Sequence, residues 1–202
     1  MTMETMPYRD KRKAPLVLEG KYVILHEICP KFFKYIVKWR NDKRLNKYLN
    51  QSFELTEEKE RDWYDNVYCE DCKQGFLVMV DRNNSIPFGT IGWTDYDAEN
   101  RRLVEGRILR ALPEYKKTRA YEEAYILMGR FFYKYVDIVY AHVVRENIAS
   151  IKRHERIGFK VNEEKIVYPH EVKKGELRQY EFIRTKEDFI ANMPLAYSPA
   201  KP

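Results

Sequence analysis

Several things are scarce in this 202-residue sequence, and each scarcity excludes something. There are three cysteines, Cys29, Cys69 and Cys72. An odd count without a secretory signal points to a reducing compartment rather than a disulfide framework. Cys69 and Cys72 form a Cys-Glu-Asp-Cys pair, but a structural zinc site takes four ligands and no second pair has suitable spacing. Two free thiols and no metal are therefore expected. No long apolar run is present. The most apolar stretch, 124–144, is interrupted by Arg130, Lys134 and Asp137, which rules out a membrane span there. Residues 1–15 lack the apolar segment of a signal peptide, so a cytoplasmic location is expected. No internal repeat is visible.

What is present suits one folded domain. The length fits one domain better than two, and a chain this long buries roughly 70% of its unfolded surface without a staple. Apolar residues make up 44% of the composition, and sixteen tyrosines predict a ring-rich core or cleft. The net charge of +6 suits either a nucleic acid or a polyanionic small molecule. The strongest basic run, 9–13, lies in a tail and acids are interleaved elsewhere, so nucleic-acid binding is not expected. Residues 1–15 read as a disordered basic arm bounded by Pro15, 16–193 as a single domain, and 194–202, with three prolines, as a loose tail.

The element pattern is mixed α/β. A strand is predicted over 21–28. Pro30 opens a helix whose buried stripe is Phe32, Phe33, Ile36 and Trp39. Thr56 is a helix cap, with Trp63 and Val67 one turn apart. Strands over 76–80, 88–95 and 103–111, joined by short polar turns, make antiparallel hairpins. Ala120, Ala124, Leu127, Phe131 and Tyr135 recur at helical spacing. A strand over 138–144 follows, then a helix capped by Asn147, with apolar positions Ile148, Ile151 and Ile157, stopped by Gly158. Closing strands are expected over 159–161 and 179–183. Together these predict a mixed, largely antiparallel sheet with helices on both faces.

That order, with Asn147, Ser150, His154, Gly158 and Phe159 at their joint spacing, resembles the GNAT superfamily of acetyl-CoA-dependent N-acetyltransferases from about residue 16 to 184. Trp39-Arg40-Asn41-Asp42 with Tyr48-Leu49 resembles the branch serving bacterial sugar-nucleotide pathways, and also the ribosomal-protein N-terminal acetyltransferases. One element departs. Where the family places a glycine-rich loop for the CoA pyrophosphate, this sequence has Lys116, Lys117, Thr118, Arg119, Ala120 and Tyr121. Cations there can still meet phosphate, but glycine's close backbone approach is lost.

The resemblance implies a set of site residues. Backbone groups of Ile108, Leu109 and Arg110 would meet the thioester, with Asn147 and Ser150 beside the pantetheine. His154 stands where the family often has a tyrosine proton donor; the alternative is a packed core histidine. The base candidates are Glu105 and His142, the alternative being water-mediated or substrate self-deprotonation. Glu105 is expected on one strand face with Leu103, Arg107 and Leu109, its alternative role an ion pair with Arg107. His142 has a buried-strand alternative. Trp39, Arg40, Asn41, Trp93 and Tyr96, with Tyr168 or His170, are expected to line the acceptor side. The expected function is acetylation of a small-molecule primary amine, foremost the amino group of a nucleotide-linked amino sugar. The alternatives are a protein N-terminal or side-chain acetyltransferase, and an inactive binding module with a degenerate loop. A homodimer is left open.

Overall fold

The computed structural model describes residue 6 and residues 10–49, 51, 53–167 and 177–193. Eight strands form one sheet: β1 (Val17–Glu19), β2 (Val23–Glu27), β3 (Gly75–Asp81), β4 (Pro87–Asp97), β5 (Arg102–Arg110), β6 (Ile138–Val144), β7 (Lys160–Val167) and β8 (Leu177–Thr185). Their spatial order is β1-β2-β3-β4-β5-β6-β8-β7. Among the described strands only the β5–β6 pair is parallel. Strand β1 and the last helix were not expected from sequence.

Side-chain caps fix the helix starts. Helix α1 (Phe33–Asn41) follows a tight turn opened by Pro30. Thr56 caps α2 (Glu57–Trp63) by accepting from the Lys59 amide, and α2 then widens into a π turn at Tyr64–Tyr68. The widening breaks the 3.6-residue period, so Val67 ends exposed while Tyr64 and Tyr68 are buried. Thr118 caps α3 (Arg119–Phe132) and Asn147 caps α4 (Ile148–Arg156). Gly158, at φ +90°, ends α4 in a conformation that disfavours a side chain. A capping box of Thr185 and Asp188 starts α5 (Lys186–Ala191).

Two cores lie on opposite faces of the sheet. One, under α3, α4 and α5, contains Leu103, Trp93, Phe132, Val139 and Phe182. The other, under α1 and α2, contains Phe33, Ile36, Trp39, Tyr68 and Leu109. Leu103 and Leu109 are six residues apart on one strand and should share a face. They do not, because β5 is interrupted. Its register with β4 shifts between Thr90 and Gly92, Gly106 faces Gly92, and Arg107 adopts φ +55°. The irregularity inverts the alternation of side chains. The expectation of one face for Leu103, Glu105, Arg107 and Leu109 is corrected accordingly.

The same strand opens the sheet. Pairing of β5 with β6 runs from Arg102–Ile138 to Glu105–Ala141 and stops there, while β5 continues to Arg110 and β6 to Val144.

Residues 10–15 of the expected arm make defined contacts with the domain. Amides of Lys13 and Ala14 bond the Asp10 carbonyl. The Lys11 ammonium is buried, donating to the carbonyls of Tyr68 (2.9 Å), Asp71 (2.6 Å) and Gln74 (2.9 Å) and lying 3.9 Å from the Tyr68 ring centre. The stretch 194–202 lies outside the described residues. Among the described residues no helix is long and apolar enough to cross a membrane.

Candidate active site

On the α3 side of the opening, a cavity of about 310 Å³ is lined by Lys116, Lys117, Thr118, Arg119, Arg156 and neighbouring parts of α3, α4 and α5. The glycine-poor loop does not obstruct it. Tyr121 is buried, with its hydroxyl bonded to that of Tyr125, so its bulk turns inward along α3. The Arg119 guanidinium donates to the Tyr22 hydroxyl at 2.9 Å. Ala120 is small and buried. First-turn amides of a helix lack intrahelical partners and favour anions. One of them, that of Tyr121, is taken by the Thr118 hydroxyl. With Lys116 and Lys117 exposed beside this turn, the residues fit a diphosphate such as that of CoA.

Along the opening, Ile108 and Arg110 are half-buried and Leu109 is buried against the α1–α2 core. The Arg110 guanidinium lies 5.9 Å from the Tyr121 ring centre. Asn147 and Ser150 sit at the start of α4, just beyond the end of β6, and are joined through the Asn147 side chain and the Ser150 amide (3.3 Å).

The three proton-transfer candidates separate in space. Glu105 is buried on the α3 face, 3.4 Å from the Arg184 guanidinium and 4.0 Å from that of Arg153. It does not pair with Arg107, which the irregularity in β5 carries to the other face. His154 is also buried there, stacked on Phe182 and edge-on to Phe159. Its Nδ1 lies 2.8 Å from the Ser150 carbonyl and its Nε2 2.9 Å from Arg153 Nη2. A guanidinium only donates, so Nε2 accepts and Nδ1 carries the proton. Burial, then the charges of Arg153 and Arg184, hold the His154 pKa well below its ordinary 6.5. Both ring nitrogens are thus engaged, and the ring is neutral. Of the apolar positions expected on α4, Ile151 and Ile157 pack against the core, while Ile148 is exposed, a correction; the buried residues of α4 are Arg153 and His154.

His142 is different. It immediately follows Ala141, the last β6 residue paired to β5, and its side chain is 39% exposed, so the buried-strand alternative is excluded. Its Nε2 lies 3.0 Å from Glu181 Oε2. Glu181 is desolvated, yet bonds from Lys165, His142 and Asn162 outweigh burial and lower its pKa to about 2. Against an ionised carboxylate Nε2–H donates, which leaves Nδ1 of a neutral ring as an acceptor. This dyad lines a cleft of about 720 Å³ with Tyr140, Asp95, Asp97 and Glu99.

The expected acceptor residues divide. Trp39 and Trp93 are buried in the two cores, Trp93 against Phe131 and Phe132, and neither lines a cleft; their placement is a correction. Asn41 clamps the chain after α1, donating to the Leu55 carbonyl (2.8 Å) and accepting from its amide (2.9 Å). Tyr96 lines the 720 Å³ cleft, and its hydroxyl accepts from the Met6 amide. Arg40 lines a cleft of about 1030 Å³ beside α2, together with Glu60, Trp63 and Arg107. Tyr168 and His170 lie outside the described residues. Sequence reading missed Glu60, Arg107 and Glu181. Glu60 carried a signal: it stands three and four residues before Trp63 and Tyr64, hence on the inward side of α2. Among the described residues no group of three or more His, Cys, Asp or Glu is placed to hold a metal ion.

Comparison with known proteins agrees with this geometry. The family model described as acetyltransferase (GNAT) domain matches residues 23–160. Among solved structures, the Vibrio cholerae spermidine N-acetyltransferase in complex with CoA and spermine superposes with a TM-score of 0.72 at 11% identity, covering 84% of this chain and 99% of that one. A probable GNAT acetyltransferase from Chromobacterium violaceum gives 0.74 at 14% identity, with 94% and 96% covered. A GCN5-related N-acetyltransferase from Brucella melitensis gives 0.72 at 18% identity, with 88% and 82% covered. No curated protein sequence matches significantly. With the family model spanning most of the sheet, the opening between β5 and β6 and all of α4, the chain belongs to the GNAT family and is an N-acetyltransferase that acetylates an amine with acetyl-CoA.

Proposed function

We propose that the protein transfers the acetyl group of acetyl-CoA to the amino group of a nucleotide-linked amino sugar. In this reading the diphosphate of the cofactor meets Lys116, Lys117, Thr118, Arg119, Ala120 and the start of α3 at Tyr121. The pantetheine arm enters the opening past Asn147 and Ser150, and the thioester carbonyl meets backbone groups of Ile108, Leu109 and Arg110. The observation that carries the reading is the end of β5–β6 pairing at Glu105–Ala141, with a cation-lined cavity on one face and open clefts on the other.

Acetyl transfer needs an amine stripped of its proton. His142 suits that role: it stands at the mouth of the opening, with Glu181 orienting the ring and Nδ1 left to accept. Glu105, locked between two buried guanidinium groups, and His154, with both nitrogens engaged, suit positioning better than proton transfer. An amino sugar carrying a diphosphate is supported by Arg40 and Arg107 in the cleft beside α2.

A second acceptor, a protein N-terminus, is favoured by one observation. The cleft beside His142 carries Asp95, Asp97, Glu99 and Glu181 against Lys73, Arg102 and Lys165, with Asp97 paired to Arg102 and Glu181 to Lys165, which leaves Asp95 and Glu99 as acids open to a cationic peptide. Steady-state acetylation of a nucleoside-diphosphate amino sugar, an N-terminal peptide and spermidine by the purified protein separates these classes. Turnover with peptide alone would end the sugar reading. Absence of both CoA binding and turnover would return the chain to the non-catalytic alternative.

A further inference from the structure

One charged cluster is left unexplained by acetyl transfer. Glu60 has no exposed surface, and neither carboxylate oxygen has a hydrogen-bond partner among the described residues. Burial raises its pKa, partly offset by the charges of Arg40 and Arg107. Arg107 is fixed by a bond from Nη2 to Gln74, with its guanidinium 5.2 Å from the Trp63 ring centre and 5.3 Å from that of Phe76, yet its Nε is unpartnered. Burial lowers the pKa of Arg40, and Glu60 is the charge that opposes this. All three residues line the 1030 Å³ cleft. Arg40 and Arg107 also line a smaller cavity of about 160 Å³ with Thr90 and Leu109, beside the part of β5 that β6 leaves unpaired.

An ionised carboxylate held away from water calls for hydrogen-bond donors, because an unmet buried acceptor is destabilising. Charge decides which donors suit it. With Glu60 ionised the cluster sums to +1, while on the exposed rim Glu58 and Asp62 balance Lys59 and Arg61 and Asp65 is paired with Arg12, so an ammonium at the cluster would meet two cations for one anion, whereas a phosphate meets two cations. A hydroxyl donates to the carboxylate without adding charge.

We propose that Arg40, Arg107 and Glu60 bind the sugar–phosphate portion of the acceptor: the guanidinium groups hold phosphate oxygens, and Glu60 accepts hydrogen bonds from hydroxyls beside them. This rests on the amino-sugar reading above and narrows it to acceptors that are phosphorylated polyols, against polyamines.

Calorimetry on the full chain tests it, with CoA saturating so that the cofactor's diphosphate site is filled. The probes are UDP, inorganic pyrophosphate and spermidine. UDP is expected to bind, pyrophosphate to bind more weakly and spermidine not to bind. Arg40→Gln and Arg107→Gln should weaken UDP and pyrophosphate alike, by roughly ten- to a hundredfold each. Glu60→Gln should weaken UDP by a similar factor and leave pyrophosphate unchanged, since pyrophosphate presents no hydroxyl. A cluster that is only structural predicts otherwise: Glu60→Gln would lower the melting temperature and change UDP and pyrophosphate equally or not at all, which overturns the proposal. Tighter binding of spermidine than of UDP overturns it too. Acetylation of unphosphorylated amines without UDP binding would refute this assignment and leave the acetyltransferase reading standing. If CoA itself does not bind, that broader reading fails, and UDP titration of the three variants without CoA still tests the cluster.

Discussion

The Thr90 hydroxyl donates a 2.6 Å hydrogen bond to the carbonyl of Arg107, the residue whose left-handed backbone breaks the alternation of β5. Thr90 is buried, so the bond tethers the irregular segment to β4 just where β5 parts from β6. Thr90→Val keeps the shape and deletes the donor. A loss of about 1 kcal/mol of stability is expected, with a rise in KM for the acceptor exceeding that for acetyl-CoA. Denaturant unfolding and initial-rate kinetics measure the two effects.

The His142–Glu181 pair should govern proton transfer. His142→Gln is expected to lower kcat/KM by roughly a hundred- to ten-thousandfold while leaving CoA affinity unchanged. Glu181→Gln should give a smaller loss, because the ring loses the carboxylate that orients it. An unchanged kcat/KM in both variants would remove His142 from the chemistry.

His154 makes the fold sensitive to acid. Its folded pKa is depressed well below 6.5, so the unfolded chain takes up a proton at this site before the folded protein does. Stability from this site is complete above the unfolded value and is lost as pH falls below it, toward the folded value. His154→Phe preserves ring packing against Phe159 and Phe182 but leaves Arg153 without its acceptor. The variant should be less stable at pH 7 by about 1–3 kcal/mol and show a flatter dependence between pH 7 and 5 than the parent. Thermal melts across that range give the slope.

The two lysines before α3 should contribute to cofactor binding mainly through long-range charge. Both are exposed, so each contributes only about 0.2–1 kcal/mol. The double variant Lys116→Ala with Lys117→Ala is expected to weaken CoA by several-fold and to reduce the salt dependence of its affinity. Calorimetry at two ionic strengths reads both.

Lys11 anchors the N-terminal arm to the segment that carries Gln74, the partner of Arg107. Lys11→Met retains much of the stem and strips three buried carbonyls of a charged donor. A loss of about 2–4 kcal/mol is expected. Hydrogen exchange should rise in residues 68–75, and acceptor KM should rise with it.

Local chemistry made most of the elements legible. Thr56 and Asn147 cap helices as their side chains predict, and the apolar stripe of Phe33, Ile36 and Trp39 is buried as its period predicts. The joint spacing of Asn147, Ser150, His154, Gly158 and Phe159 carried the family as well. The site was less legible. Trp39 and Trp93 looked like cleft residues because aromatic side chains suit a ligand and a core equally, and burial alone separates the two. Glu60 drew no reading from the sequence, although its spacing to Trp63 and Tyr64 marked it as inward.

The sequence by itself determined most of the order of strands and helices, the caps at Thr56 and Asn147 and the acetyltransferase family, because these depend on contacts between residues a few positions apart. Only the tertiary structure decided which side chains meet. A single irregularity in β5, set by pairing with β4, turned Arg107 away from Glu105 and toward Glu60 and Arg40. No spacing along the chain encodes that inversion, since it arises from the register between two strands and the steric freedom of Gly92 and Gly106 at their crossing.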